Sequence, residues 1–544
     1  MDKPFAITLD PGSSLANKTG SWRTERPVYV DHLPPCQAAC PAGEDVQGWL
    51  FHAEAGDYEA AWRHLTRDNP FPAVMGRVCY HACEGACHRG RLDAAVGINS
   101  VERFLGDEAL RRGWAFEAPA VESGRHVLVV GAGPSGLSAA YHLRRLGHRV
   151  TVREAGPAAG GMMRFGIPRY RLPREVLDAE VQRIAAMGVR IELGTRVADI
   201  EAAMGEVDAT FLAVGAHIGK RAAIPAKDGA RILDAVSLLR SMEGEAPPQL
   251  GRRVVVYGGG NTAFDVARTA RRLGATEAVV VYRRTREKMP AHDAELQEAL
   301  DEGVLVKWLS TIRQAGSDGD TAALTIEKMV LDADGMPRGT GEFETLEADT
   351  LVLALGQDVD LSPLAGVPGL AVTDGVVQVD PSTLMTGREG LFAGGDMVPA
   401  ERNVTVAVGH GRQAARHIDA WLRGVVPPAP AARPPARFER LNPWYYSDAP
   451  KTVRPQLDAA RRSSSFDEVQ GGLTEANALF EARRCLSCGN CFECDNCYGV
   501  CPDNAVIKLG PGQGFRIDTD YCKGCGICAA ECPCGAIEMV PEEG

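Results

Sequence analysis

Two stretches of the sequence, at residues 126–155 and 252–284, show the same hydrophobic pattern. In each, a Val-rich run leads into a glycine-rich turn, a segment with apolar residues at helical spacing follows, and a second Val-rich run closes the unit. Short apolar runs of this kind are typical of buried parallel strands. The pattern therefore predicts two strand–helix–strand units that each bind a nucleotide.

Three further apolar runs end in glycine, at residues 208–216, 349–357 and 390–398, and a helical pattern follows at 405–422. The first two runs resemble each other, and each is expected to close one nucleotide-binding domain. We expect residues 124–225 and 370–424 to form one discontinuous domain. Residues 226–369 would then form a second domain inserted into the first.

The two ends of the chain show different patterns. Apolar residues recur at helical spacing over 46–65 and again from Ser100, so residues 1–118 are predicted to be helical. Residues 425–475 begin with a proline-dense stretch that predicts a semi-rigid linker. Residues 476–544 carry short strands typical of a small α+β module. The predicted fold class is thus multidomain, with a helical domain, two Rossmann-like α/β domains and a C-terminal α+β domain.

Composition limits the possible partners and compartments. The formal net charge is −12, which argues against nucleic acid, because phosphate backbones are bound by clustered Lys and Arg. No apolar run is as long as a membrane span, and the first thirty residues lack the apolar core of a signal peptide. We expect a cytoplasmic protein that binds neither nucleic acid nor membranes.

The first glycine turn has the composition of a dinucleotide site. Gly131 allows a tight turn, Gly133 lets the backbone approach a pyrophosphate, and Gly136 lets helix and strand pack closely. Glu154, after the second strand, is placed to accept ribose hydroxyls.

The second turn is the G-x-G-x-x-A variant, formed by Gly258, Gly260 and Ala263. Where a carboxylate would favour NAD, the sequence has Arg283 and Arg284. Guanidinium groups suit a 2′-phosphate, because they pair with phosphate oxygens bidentately. The alternative is a solvated basic strand end, so NADP is favoured and NAD stays possible.

Two sites with opposite charge imply two cofactors, and we assign FAD to the first and NADP to the second. The loop at Gly161 and Met162 is expected to cross near the FAD, and Asp396 is expected to meet its ribityl chain. Asn261, within the second turn, is counted among the nucleotide contacts.

The sixteen cysteines form two dense groups with short fixed spacings, which indicates metal rather than disulfides in a chain without an export signal. Five of them lie within residues 1–118. Cys79, Cys83 and Cys87 are four apart, so they would share one face of a helix or wrap a cluster from a loop. Zinc is the alternative metal, but only an iron–sulfur cluster could exchange electrons with a nearby flavin.

The last sixty residues carry eleven cysteines, and two runs match the ferredoxin spacing C-x₂-C-x₂-C-x₃-C-P. In that arrangement the fourth cysteine of each run binds the other cluster. The two predicted 4Fe-4S sites are Cys491, Cys494, Cys497 with Cys532, and Cys522, Cys525, Cys528 with Cys501. The spacing leaves Cys485, Cys488 and Cys534 unassigned.

Several motifs within residues 36–422 together resemble one family: NPFPAVMGRVC, VGAGPSGLSAA, GGMMRFGIPRYRLP, GGGNTAFD, YRRTREKMPA and AGGD. The set resembles the glutamate synthase small subunit family, which includes the electron-input half of dihydropyrimidine dehydrogenase and the large subunit of the bifurcating transhydrogenase. The resemblance implies a helical iron–sulfur domain followed by FAD and NADPH domains of the disulfide-reductase type. The C-terminal module resembles the small ferredoxin subunit of 2-oxoacid:ferredoxin oxidoreductases.

The N-terminal cysteines depart from the family pattern. A Cys-x-x-Cys pair that the family has shortly before the position of Cys36 is absent. Matching by motif implies one cluster, on Cys40, Cys79, Cys83 and Cys87. The segment with Cys485 and Cys488 resembles the missing pair, so we hypothesise that these two join Cys36 and Glu102 in a fourth cluster. Otherwise that cluster is lost and the cysteines are free.

The predicted function is an NAD(P)H-linked FAD and iron–sulfur oxidoreductase with three or four 4Fe-4S clusters. The flavin and the clusters would carry the chemistry, so no catalytic acid or base is assigned. Electrons would pass to or from a ferredoxin or the catalytic subunits of a 2-oxoacid oxidoreductase, in a hetero-oligomer. The alternatives are an electron-input subunit of a glutamate synthase-like enzyme and a relay subunit with a lapsed nicotinamide site.

Overall fold

The computed structural model describes residues 18–220, 222, 224–226, 231–244, 246–318, 321–427 and 432–542. Within the described residues the first strand is β1 (Glu25–Tyr29), and a helical domain follows it. Its helices are α1 (Pro35–Ala39), α2 (Val46–Glu54), α3 (Tyr58–Leu65), α4 (Pro72–Val78), α5 (Ala82–Gly85) and α6 (Ile98–Arg112). Asp45 and Asp57 cap α2 and α3 by accepting backbone N–H groups. These helices pack around the fully buried Trp49, Leu65 and Leu105.

The first α/β domain follows. Its elements up to the domain crossover are β2 (His126–Val130), α7 (Pro134–Arg145), β3 (Arg149–Arg153), α8 (Met162–Phe165), α9 (Arg174–Ala185), β4 (Arg190–Glu192), α10 (Ile200–Met204) and β5 (Ala209–Leu212). The residues of β5 are all buried, as expected of a central parallel strand.

The second α/β domain is inserted next. Its elements, after the short crossover strand β6 (Ile218–Gly219), are β7 (Ile232–Asp234), α11 (Ala235–Ser241), β8 (Arg253–Tyr257), α12 (Asn261–Arg272), β9 (Glu277–Val281), α13 (Asp293–Asp301), β10 (Leu305–Lys307), β11 (Ser310–Asp318), β12 (Thr321–Leu331), β13 (Pro337–Glu347) and β14 (Thr350–Leu353). A parallel sheet has the order β10-β9-β8-β14-β7. An antiparallel sheet of β11, β12 and β13 shares an apolar core with it.

The chain then returns to the first α/β domain. The returning elements are β15 (Gln357–Asp358), β16 (Val372–Thr373), β17 (Val376–Val377), β18 (Leu391–Ala393) and α14 (Val404–Arg423). Strand β15 pairs with β6 at the crossover, and β18 joins β5 to complete a parallel sheet of order β18-β5-β2-β3-β4. Helix α14 packs on α7. Two Rossmann-like parallel sheets are therefore present, and the predicted fold class is confirmed.

The segment after α14 contains α15 (Ala459–Ser464). The C-terminal module contains α16 (Glu475–Ala482), α17 (Asn496–Gly499), β19 (Val506–Gly510), β20 (Gly514–Ile517), α18 (Ile527–Ala530) and β21 (Ile537–Pro541). Strands β19 and β20 form a hairpin. Strand β21 pairs antiparallel with β1, so that Tyr29 lies opposite Ile537. The start of the chain thus supplies a strand to the end of the chain.

The proline-rich segment crosses the other domains before it reaches this module. Residues 428–431 of the predicted linker lie outside the described residues. Farther along, Glu468 pairs with Arg77 at 2.8 Å, and the backbone N–H of Val469 donates to Tyr170 at 2.9 Å. Helix α16 then packs on α2 and α6, which brings the segment after it beside the N-terminal domain. Within the described ranges, no helix has the length and apolar character needed to cross a bilayer.

Candidate functional site

One cavity of about 570 Å³ lies between the two α/β domains, and both glycine turns open into it. Its walls include the turn after β2, the start of α8, the turn after β8 and the loop before α14. Eight of the predicted cofactor residues line it, which are Gly131, Gly133, Glu154, Gly161, Met162, Gly260, Asn261 and Asp396. The structure thus places both predicted nucleotide sites in one continuous space.

The turn after β2 uses its three glycines differently. Gly131 has a φ of +106°, and a Cβ there would lie 2.4 Å from the carbonyl oxygen of Ala213. A Cβ on Gly136 would lie 2.0 Å from the carbonyl oxygen of Gly131, so a larger residue would force α7 away from the strand. At Gly133 the nearest atom is the Cα of Gly161 at 3.9 Å, so this position faces the cavity. The N-terminus of α7 therefore offers an open cradle that fits a pyrophosphate.

The carboxylate of Glu154 is fixed on this turn. It accepts the backbone N–H groups of Ala132 at 2.8 Å and of Gly156 at 2.7 Å. Its remaining lone pairs can accept the hydroxyls of a ribose, whereas its negative charge would repel a 2′-phosphate. The first site accordingly fits FAD better than NADP.

Asp396 lies on the loop before α14 and also lines the cavity. Burial raises the pKa of Asp396 to about 6, and the charge of Arg402 partly offsets this. No hydrogen bond to the Asp396 side chain is present within the described residues. A half-buried carboxylate in this state is stabilised by hydrogen-bond donors, and the hydroxyls of a ribityl chain are donors of this kind.

The turn after β8 forms a second cradle. Gly258 has a φ of +153°, and a Cβ there would lie 2.2 Å from the carbonyl oxygen of Ala354. A Cβ on Gly260 would meet no atom within 4 Å, while Ala263 is fully buried in the first turn of α12. Gly260 therefore faces the cavity, whereas Gly258 and Ala263 shape the turn behind it. The N-terminus of α12 fits a second pyrophosphate.

Arg283 and Arg284 follow β9 outside the cavity lining. Arg283 is exposed and makes no ion pair within the described residues. Arg284 is half-buried, and its Nη2 lies 3.8 Å from the sulfur of Met336. Both guanidinium groups lie at the strand end where the 2′ position of a bound nucleotide is expected. Their role in selecting NADP stays a prediction.

The structure sorts the N-terminal cysteines into two groups. An inner group consists of Cys40, Cys79 and Cys83 with the buried carboxylate of Glu102. Burial and the neighbouring carboxylate of Glu102 together raise the pKa of Cys79 to about 12. The thiol of Cys79 accepts the hydroxyl of Thr405, on α14, at 3.4 Å.

An outer group joins the two ends of the chain. Cys36, Cys87, Cys485 and Cys488 line one small cavity. Burial raises the pKa of Cys36, and the nearby Cys485, Cys87 and Cys488 add to the rise. Burial also raises the pKa of Cys485 to about 12. Since iron binds thiolates, cluster assembly at such a site releases protons.

This grouping differs from the one predicted, because Cys87 and Glu102 have exchanged places. The three cysteines that are four residues apart do not share a helix, since α4 ends at Val78, α5 ends at Gly85, and Cys79 and Cys87 have extended backbones. Helices α1 and α5 contact each other. Cys36 and Cys40 stand at the two ends of α1, and Cys83 and Cys87 stand within and after α5, so each segment gives one cysteine to either group.

The C-terminal cysteines form the two sets that their spacing predicts. The side chains of Cys501, Cys522, Cys525 and Cys528 line one cavity. Burial raises the pKa of Cys491 to about 11, with Cys497, Cys532 and Cys494 as its neighbouring thiols. The hydroxyl of Tyr29 donates to the sulfur of Cys497 at 3.3 Å. Both sets fit 4Fe-4S clusters with exchanged fourth ligands.

Cys534 lies between the outer group and the C-terminal module. It is buried, and its sulfur is 3.7 Å from that of Cys532. Its carbonyl oxygen accepts the N–H of Gly489, which stands between Cys488 and Cys491. Within the described chain no three His, Cys, Asp or Glu side chains have the close arrangement that one metal ion requires. The cysteine sets described above suit a larger group, because each thiolate of a 4Fe-4S cluster binds a different iron.

Several residues near these sites carry no sequence signal. Tyr80 and Arg402 line the cavity, and Thr405 binds Cys79, although none of the three belongs to a motif named above. Arg171 also lines the cavity and lies within GGMMRFGIPRYRLP, but the motif predicts no role for it. The sole hint for Tyr80 is its position directly after a predicted ligand, Cys79. The fold alone brings these side chains to the site.

The fold and its sites define an oxidoreductase that uses a flavin, a pyridine nucleotide and 4Fe-4S clusters. The model of the pyridine nucleotide-disulphide oxidoreductase family matches residues 125–411. The model of dihydropyrimidine dehydrogenase domain II, which has a 4Fe-4S cluster, matches residues 23–114. The model of the 4Fe-4S binding domain matches residues 515–538. The chain belongs to the pyridine nucleotide-disulphide oxidoreductase family, and the predicted resemblance, enzyme class and cofactors are confirmed.

Named relatives include subunits of several enzymes. The beta subunit of the NADP(+)-dependent formate dehydrogenase of Moorella thermoacetica is 36% identical over 498 residues, which cover 83% of this chain and 70% of the relative. The beta subunit of the NADPH-Fe(3+) oxidoreductase of Geobacter sulfurreducens is 32% identical over 509 residues, 84% of this chain and 75% of the relative. The glutamate synthase [NADPH] small chain of Azospirillum brasilense is 34% identical over 421 residues, which cover 72% of this chain and 87% of the relative. Among solved structures, FprA of Mycobacterium tuberculosis with NADPH aligns at a TM-score of 0.48 and 18% identity, over 55% of this chain and 85% of that one.

Proposed function

We propose that this chain is the NADP(H)-linked subunit of a larger oxidoreductase, and that it carries electrons between NADP(H) and a partner through FAD and four 4Fe-4S clusters. The observation that carries the proposal is the continuous order of sites from the cavity to the C-terminal module. FAD, when bound, takes a hydride from the nicotinamide and returns the two electrons singly, which nicotinamide cannot do.

The residues of the cavity bind and orient the two nucleotides. The turns at Gly133 and Gly260 hold the pyrophosphates, and Glu154 holds the ribose of the FAD. Asp396 would accept a ribityl hydroxyl. Both nucleotide sites open into the same cavity, so the nicotinamide can reach the flavin ring within that cavity. No cysteine lies between residues 88 and 484, so the chain lacks the redox dithiol that a disulfide reductase keeps in this region.

The cysteine groups continue the path away from the cavity. The inner group touches α14 through Cys79 and Thr405. Helices α1 and α5 connect the inner group to the outer group. Cys488 and Cys491, three positions apart, connect the outer group to the C-terminal module. We assign one 4Fe-4S cluster to each of the four sets.

The second part of the proposal concerns which catalytic subunits exchange electrons with this chain. The fused ferredoxin module favours a 2-oxoacid oxidoreductase, whose ferredoxin subunit it resembles. The Moorella relative, which is named as a formate dehydrogenase subunit, supports formate-oxidising catalytic subunits as the second candidate. A glutamate synthase partner is less favoured, since that role does not call for a fused ferredoxin.

The test is anaerobic reduction of the purified protein by NADPH and, separately, by NADH. Flavin absorbance and low-temperature EPR are recorded. NADPH is expected to bleach the flavin, and cluster signals should follow. If neither nucleotide bleaches the flavin, the chain is a relay subunit with a lapsed nicotinamide site. Affinity purification from the native host, with catalytic activity assayed on 2-oxoacids and on formate, decides between the two partners.

A further inference from the structure

Tyr80 belongs to the iron–sulfur domain but reaches into the cavity between the α/β domains. It follows Cys79 directly and lies between α4 and α5. Its ring stacks on that of His292, which precedes α13 in the second α/β domain. The ring centroids are 3.6 Å apart, and the ring planes differ by 17°. The stack therefore joins two domains that otherwise bind different cofactors.

The side chain of Asn261 forms hydrogen bonds to both residues of the stack, Tyr80 and His292. Its Oδ1 accepts the backbone N–H of His292 at 2.9 Å. Its Nδ2 donates to the hydroxyl oxygen of Tyr80 at 2.8 Å. A backbone N–H can only donate, so the amide oxygen has to face His292 and the amide nitrogen has to face Tyr80. The geometry of the set thus fixes the orientation of the amide.

Asn261 is the first residue of α12, directly after Gly260. The two hydrogen bonds engage both ends of its amide, so its side chain serves to locate the turn. We propose that Tyr80 is a positioning residue for hydride transfer: it holds the NADP-binding turn, and thereby the nicotinamide, against the flavin. This inference rests on the proposed function.

The second α/β domain has other attachments that would remain without Tyr80, although Arg171 is also a neighbour of the Tyr80 hydroxyl. Arg171, from the first α/β domain, binds both carboxylate oxygens of Asp265 on α12, at 2.9 and 3.0 Å. The ring of Tyr170 lies 3.8 Å from the guanidinium of Arg272 and 4.7 Å from that of Arg268. Loss of Tyr80 should therefore loosen the turn without detaching the domain.

The test uses the full chain with its cofactors and measures the rate of flavin reduction at saturating NADPH by anaerobic stopped flow. Tyr80→Phe keeps the stack, so it should slow reduction about fivefold, the factor that one net hydrogen bond is worth. Tyr80→Ala also removes the stack, so it should slow reduction about thirtyfold. The dissociation constant of NADP⁺ should change less than the saturated rate, since Tyr80 bonds to the side chain of Asn261 and not to the backbone of the cradle at Gly260. Flavin content, iron content and the dithionite-reduced spectrum should stay as in the wild type.

Tyr141→Phe is the matched control. The hydroxyl of Tyr141 is also buried between the N-terminal and first α/β domains, where it donates to Thr66 at 2.6 Å, but it lies outside the cavity lining. This variant should reduce at the wild-type rate. If Tyr80→Ala loses iron, His292→Ala removes the same stack from a domain without cysteines and should slow reduction likewise.

The outcomes separate the two proposals. A wild type that is reduced by NADPH, with Tyr80 and His292 variants equal to it, would overturn this inference alone. A rate loss in Tyr141→Phe as large as in Tyr80→Phe would also overturn it. A wild type that neither nucleotide reduces would overturn the proposed function and this inference together.

Discussion

The hydroxyl of Thr405 donates to the sulfur of Cys79 across 3.4 Å, and this bond joins the first turn of α14 to the inner cysteine group. The residues just before it, Asn403 and Val404, line the cavity. A single helical turn thus separates the predicted flavin site from the first predicted cluster. Such a close approach would suit direct electron transfer between a flavin and a cluster bound at these two sites.

Removal of that hydroxyl should change the potential of the inner cluster. A donor to a cluster sulfur stabilises the reduced, more negative state, so Thr405→Val should lower the reduction potential. A net hydrogen bond of about 1 kcal/mol corresponds to about 40 mV for a one-electron couple. Redox-poised EPR measures the shift. Thr386→Val, which deletes a buried hydroxyl bonded at 3.0 Å to Leu391, is the control. Equal potentials in all three proteins would contradict this prediction.

Iron content tests the outer cysteine group. The double variant Cys485→Ser, Cys488→Ser should lose one cluster, or about four iron atoms per chain, because two of its four thiolates are gone. Cys534→Ser, in the same part of the chain, should keep its iron. Iron and acid-labile sulfide are measured on purified protein. The assignment fails if the double variant holds as much iron as the wild type.

Arg283 and Arg284 should set the preference for NADPH. Replacing both with Ala removes charge-assisted bonds to a 2′-phosphate, so kcat/KM for NADPH should fall about tenfold to a hundredfold. The value for NADH should not fall, because NADH lacks that phosphate. Arg286→Ala is the control, since this exposed residue pairs weakly with Asp293 at 3.9 Å. A parallel loss with both nucleotides would show that the two residues have another role.

Asp396 should make the stability of the flavin-free protein depend on pH. Burial raises its pKa to about 6, above the value of about 4 in an unfolded chain. A raised folded-state pKa contributes stability below pH 4 that is lost as the pH rises through 6. Asp396→Asn avoids this loss and should be more stable above pH 6, by up to about 3 kcal/mol. Chemical denaturation at pH 4 and pH 7.5 checks the difference, and a constant offset at both values would contradict it.

The sequence carried most of this architecture because glycine turns and ferredoxin spacings are local signals. Gly131 and Gly258 have positive φ angles, and Gly133 and Gly260 leave open space for a ligand. Each turn can therefore be predicted from a few neighbouring residues. The partition of the C-terminal cysteines follows from spacing in the same way.

The grouping of the N-terminal cysteines cannot be predicted from spacing in this way. Which thiol joins which group depends on the contact between α1 and α5 and on α16, whose packing brings Cys485 near Cys36. Matching by motif placed Cys87 with Cys83, whereas Cys87 follows the end of α5 with an extended backbone and lies with the outer group. The role of Tyr80 could not be predicted from the sequence either, because its partner His292 is distant in sequence.

Rapid-freeze EPR after anaerobic mixing with NADPH tests the electron path most directly. In the wild type, flavin bleaching should be followed by signals from the N-terminal and then the C-terminal clusters. In the Cys485→Ser, Cys488→Ser variant the flavin should bleach at the wild-type rate, while the C-terminal clusters should be reduced much more slowly. Reduction of the C-terminal clusters at an unchanged rate in that variant would contradict the path through the outer cysteine group.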